Sequence, residues 1–146
     1  MSSISDYISE QDEKAIVEAI RQGEKRTSGE IRLHIEMNCP LDDPYKRALQ
    51  VFEKLEMHKT ELANGILIYL AIEDHKLVVC GDKGINDIVG ETYWKSTVNM
   101  MVSYFKEEKY KEGLIQGVTE VSHKLKEHFP YESDDTNELS DDISKG

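Results

Sequence analysis

The distribution of apolar positions along the chain predicts an alternation of helices and strands. Ile16, Ala19 and Ile20 fall on one face of a helix running from about Glu10 to Arg26, with Ser9 as its cap and Glu10 and Asp12 in its first turn. Thr27-Ser28-Gly29 ends that helix. Ile31, Leu33, Ile35 and Met37 then alternate with Arg32, His34 and Glu36, the period of two expected of a strand with one polar face. Asp43-Pro44 reads as the cap and first-turn proline of a second helix, whose inner stripe is Ala48, Phe52 and Leu55. From Gly65 to Ile72 the residues are apolar without alternation, the pattern of a central strand covered on both faces.

Glu73 to Lys76 turn the chain into a short return strand, Leu77 to Cys80, which the Gly81-Asp82-Lys83-Gly84 segment breaks. Two further helical stripes follow. Trp94, Val98, Met101, Val102 and Phe105 form the first, and Leu114, Val118, Val121 and Leu125 the second. A crossover helix between the first two strands makes them parallel, and the hairpin makes the third antiparallel to the second. The expected fold is therefore α/β, a small mixed sheet with helices on both sides.

Composition narrows the class. The 146 residues suit one domain, expected over 1–130, and 38% hydrophobic with 32% charged residues fits a globular chain. Net charge is −11, and five of those negative charges belong to residues 131–146, expected to form a disordered acidic tail. Such a balance repels nucleic acid and anionic bilayers. No apolar run approaches the ~20 residues that cross a bilayer. The first residues lack the basic and apolar regions of a signal peptide, so a cytoplasmic, monomeric protein is expected. Cys39 and Cys80 form no zinc or CxxC pattern and read as reduced thiols.

The topology also generates a candidate site. The starts of the parallel strands and the end of the return strand meet at one rim, bringing together Glu30, Asn64 and Asp82, with Asp87 close behind. Each of the first three adjoins a glycine, and their oxygens suit Mg²⁺ or Ca²⁺. The bland alternative is that Asp82 and Asn64 bond their own turns while Glu30 is a solvated strand-end carboxylate. Asp42, Asp43, Glu73 and Asp74 at the opposite rim are explained by capping and turn formation. The five histidines, His34 included, are explained by surface or capping roles, and Trp94 by core packing. No GxSxG elbow, HExxH pair or EF-hand loop is present.

Several segments occur in an order that carries a resemblance. They are Thr27-Ser28-Gly29-Glu30-Ile31-Arg32, Asn64 to Ile68, Gly81 to Ile85, Tyr93-Trp94, Phe105 to Leu114 and Phe129-Pro130. With these landmarks the chain resembles the TPM domain family, found in thylakoid-lumen proteins that help maintain photosystem II, in a nematode receptor-associated protein and in many bacterial proteins. The resemblance implies a three-layer α/β/α sandwich and an acidic divalent-metal site, to which Glu30, Asn64, Asp82 and Asp87 correspond. It also implies a phosphatase activity attributed to some plant members. Many members carry a signal peptide and a transmembrane or low-complexity tail, and this chain differs in ending on an acidic segment. Three functions compete: a Ca²⁺- or Mg²⁺-binding domain with a structural or interaction role, a metal-dependent phosphatase of phosphate monoesters, and a domain that binds a protein partner without metal.

Overall fold

A computed structural model describes residues 3–90, 92–131 and 140–146. Helix α1 (Glu10–Glu24) starts in a reciprocal capping box, in which the Asp12 N–H donates to Ser9 Oγ and the Ser9 N–H to the Asp12 carboxylate. Strand β1 (Glu30–Glu36) follows, and helix α2 (Pro44–Lys54) opens where Asp43 accepts the Tyr45 N–H at 2.9 Å. Strands β2 (Gly65–Ala71) and β3 (Lys76–Gly81) form the hairpin, with His75 in the left-handed region at φ 57° in its turn. Helices α3 (Lys83–Val89), α4 (Lys95–Phe105) and α5 (Tyr110–His128) complete the helical part. Strand β4 (Ser144–Lys145) returns to the sheet.

The sheet order is β3-β2-β1-β4. Strands β1 and β2 are parallel from Glu30 opposite Gly65 to Glu36 opposite Ala71, and β3 is antiparallel to β2. All seven residues of β2 are buried. Ile66, Ile68 and Leu70 face α1, α4 and α5 in a core that includes Ile16, Ile20, Met101, Leu114 and Val118. Leu67, Tyr69 and Ala71 face the other way, against Ala48 and Val51 of α2. The result is an α/β/α sandwich around a mixed sheet. No helix among the described residues is long and apolar enough to cross a membrane.

Two expectations are corrected and one is extended. The polar face of β1 is not solvent-facing at its far end, where His34 is 2% exposed and Glu36 4%: Tyr69 and Ser144 pack on His34, and Arg47 of α2 on Glu36. The end of the acidic tail is not disordered, since Ser144 and Lys145 pair in parallel with His34 and Ile35; residues 132–139 of that tail lie outside the described residues. The glycine-bounded segment does break β3, and it also opens α3, capped by Asp82 and too short to show a helical stripe.

Gly84 lets the first turn of α3 press against the chain before β2. A Cβ there would meet the backbone carbonyl oxygens of Leu62 and Ala63, which cannot yield as a flexible side chain can. Gly84→Ala is expected to destabilise the domain by about 1–3 kcal/mol in urea unfolding and to shift the Asn64 amide resonance. Native-like stability would show that this contact relaxes without cost.

Candidate functional site

The strand starts do meet at one rim. The Glu30 N–H donates to the Asn64 carbonyl at 3.4 Å, and the Asp82 N–H to the Gly65 carbonyl at 2.8 Å, so the three backbones are stitched side by side. Glu30 is 3% exposed, which overturns its reading as a solvated carboxylate. Asn64 is buried too, its amide donating to the Ser28 carbonyl at 3.3 Å. Asp82 uses Oδ1 to cap α3 by accepting the Lys83 N–H at 2.8 Å, while its Oδ2 is buried without a hydrogen-bond partner among the described residues. Asp87 is exposed on α3.

Glu30 also belongs to a carboxyl cluster that the sequence reading missed. A cavity of about 350 Å³ at this end of β1 is lined by Glu18, Arg21, Glu24, Ser28, Glu30 and Asp141, among others, but not by Asn64, Asp82 or Asp87. The Glu24 carboxyl hydrogen-bonds with those of Asp141 and Glu30, and it accepts the Ile31 N–H at 3.2 Å. Burial, then these hydrogen bonds and the like charges, push the Glu24 pKa up to about 11. The half-buried Arg32 guanidinium lies near the group. Its pKa is lowered by burial, against the charges of Asp142, Asp141 and Glu24.

One signal pointed to Glu24. It is the final residue of α1, where the helix dipole disfavours a carboxylate. Asp141 gave none, being one acid among many in the terminal segment.

The TPM domain family profile matches residues 3–124, most of the chain. The chain belongs to the TPM domain family. Among solved structures, this TPM domain is similar to the BA42 protein of the psychrophilic bacterium Bizionia argentinensis, at 46% identity over 100% of both chains with a TM-score of 0.91. It shares its fold with the N-terminal domain of a P. gingivalis protein, at 17% identity over 88% of this chain and 83% of that one, with a TM-score of 0.70. No functionally curated protein matches the chain.

At the other end of β1 the TPM domain buries a second polar group, under α2. Arg47 donates to both Glu36 oxygens, Nε at 2.9 Å and Nη2 at 2.8 Å, in a bidentate pair. Tyr69 Oη donates to the same carboxylate. His34 bridges Glu36, at 3.1 Å, and Ser144 of β4, at 2.9 Å. Burial raises the Glu36 pKa, but hydrogen bonds from Arg47, Tyr69 and His34 outweigh it and bring the carboxyl to about 2. Burial lowers the His34 pKa, against the hydrogen bond and charge of Glu36, which raise it. Ser144, His34 and Glu36 have the connectivity of a nucleophile, base and acid. Glu36 is already committed to Arg47 and Tyr69, however, and His34 is sealed from solvent, so the group clamps β4 to the sheet.

The two carboxyls respond to pH in opposite senses. Glu36 has a folded pKa below its ordinary 4.5, so its stabilisation is present above that value and lost as pH falls towards about 2. Glu24 has a folded pKa above its ordinary 4.5, so the fold is favoured while the group is protonated and weakened as pH rises through neutral towards about 11. Glu24→Gln keeps a neutral side chain at every pH. In chelator, urea unfolding is expected to show this variant more stable than the native chain at mildly alkaline pH, with a flatter profile from acid to alkali. A variant that follows the native profile would contradict the shift.

Proposed function

We propose that this TPM domain binds a divalent cation, Ca²⁺ or Mg²⁺, along the acidic rim at the starts of β1 and β2, and that its role is structural or in protein interaction. The observation that carries the reading is the contact among the Glu24, Glu30 and Asp141 carboxyls around one cavity. Carboxyls packed this closely need shared protons or counter-charge, of which Arg21, 3.8 Å from Asp141, and the nearby Arg32 supply a part. An all-oxygen set suits hard divalent ions, and the buried Asp82 Oδ2 is a further acceptor on the same rim. Asn64 extends this set from its place between Glu30 and Asp82, and Asp87 lies at its outer margin.

Among the described residues, no three His, Cys, Asp or Glu side chains are already gathered around a point that could hold an ion. In this reading the cation replaces the protons of the cluster and draws the carboxylates inward. Binding then releases protons and tightens as pH rises. The bound ion would supply charge neutralisation. Glu24, Glu30 and Asp141 would hold it, and the backbone bonds from Glu30 to Asn64 and from Asp82 to Gly65 would keep the strand starts in register.

The test is an amide NMR titration with Ca²⁺ and Mg²⁺ at two pH values, using the native chain, Glu30→Gln and Asp82→Asn. Saturable shifts around residues 24, 30, 64, 82 and 141 are expected, stronger at the higher pH and lost in Glu30→Gln. Flat spectra, or shifts confined to 132–139, would contradict the proposal. Adding p-nitrophenyl phosphate to the same samples separates binding from the alternative, a metal-dependent phosphatase, which predicts turnover that Asp82→Asn abolishes.

A further inference from the structure

We infer that the cavity between the β2–β3 turn and the α4–α5 link binds a small amphiphile with an apolar body and a single carboxylate head. The cavity is about 400 Å³, within the range of small-molecule sites, and lies at the opposite end of the sheet from the carboxyl cluster. Its wall is apolar, formed by Leu70, Ile72, Leu77, Val102, Phe105 and Tyr110. Leu70, Ile72, Phe105 and Tyr110 are buried, so they form its depth. The remaining lining residues, His75, Lys106 and Glu108, are exposed and mark its mouth.

The wall is held rigidly. Phe105 stacks on Tyr110 with centroids 5.5 Å apart, and Tyr7 meets Tyr110 edge-on at the same distance. Gly113 admits this arrangement, because a Cβ there would lie 2.6 Å from the Phe105 ring. Close packing would normally fill an apolar space of this size with side chains. An apolar body entering it gains the contacts that those side chains would otherwise supply.

The mouth selects the head group. Lys106 follows the last residue of α4 and has no ion-pair partner among the described residues, so its charge is available to an anion. Glu108, also without an ion-pair partner among them, sets a negative charge at the same mouth. A single carboxylate on the ligand can pair with Lys106, while Glu108 at the same mouth prevents the build-up of positive charge that a dianion such as a phosphate monoester would need. His75 and Glu108 both have left-handed backbone, at φ 57° and 60°. The fold thus carries side chains at two turn positions where glycine is the easier choice.

The test is an amide NMR titration in chelator with octanoate, octanol and octylamine as probes. Octanoate is expected to give saturable shifts at Ile72, His75, Val102, Phe105 and Tyr110 and to bind more tightly than octylamine. Lys106→Ala, a surface change, should weaken octanoate about threefold and leave octanol unchanged. Val102→Trp, or Leu77→Phe if the larger residue prevents folding, should fill the cavity and remove the shifts. No saturable octanoate shift, binding unaffected in a folded filled-cavity variant, or octylamine binding as tightly as octanoate would overturn the inference.

Discussion

Burying β2 on both faces is the constraint from which the rest of the structure follows. Seven consecutive residues from Gly65 to Ala71 are withdrawn from water, so their backbone groups need a strand on each side and their side chains a layer above and below. Strands β1 and β3 supply the first requirement, and α1, α4 and α5 cover one face together. The other face has the single helix α2 and a smaller apolar cluster. One helix supplies too narrow an apolar stripe to cover three strands. The outlying positions of β1 on that face are accordingly polar, and they satisfy one another: Glu36 with Arg47, Tyr69 and His34.

The outer edge of β1 is completed in two different ways along its length. Near its end, β4 pairs with His34 and Ile35, and His34 ties that strand down through Ser144. Near its start, the Glu24 carboxyl takes the Ile31 N–H where no strand among the described residues pairs. A side chain in place of a neighbouring strand leaves room for the cavity, and it brings the Glu24 carboxyl against Glu30 and Asp141. The acidic rim is thus a consequence of how far β4 extends. Its chemistry and the sheet's edge are one structural fact.

Much of this architecture was legible from apolar spacing and caps. Ser9 and Asp43 cap the helices expected of them, and the unbroken apolar run marked the central strand. Topology alone brought Glu30, Asn64 and Asp82 to one rim. What escaped did so for identifiable reasons. A period of two shows that one face of β1 is polar, but not whether a helix such as α2 closes over it, so His34 and Glu36 read as surface groups. Two residues of β4 within an acidic segment leave no periodic trace. Glu24 precedes Glu30 by one short turn, but whether its side chain folds back on β1 is not written in the spacing, and Asp141 reaches the pair from the far end of the chain. The isolated clue was a carboxylate at the end of α1 that the helix dipole does not favour.

In the proposed reading the carboxyl cluster at the start of β1 holds protons that a cation can replace. The most direct measurement is a pH titration of side-chain carboxyl carbons by NMR, following Glu24 first in chelator and then with saturating Ca²⁺. Glu24 is expected to stay protonated far above the ordinary carboxylate range in chelator, and Ca²⁺ to move its titration to lower pH. Ordinary titration of Glu24 in chelator, with no effect of Ca²⁺, would contradict it.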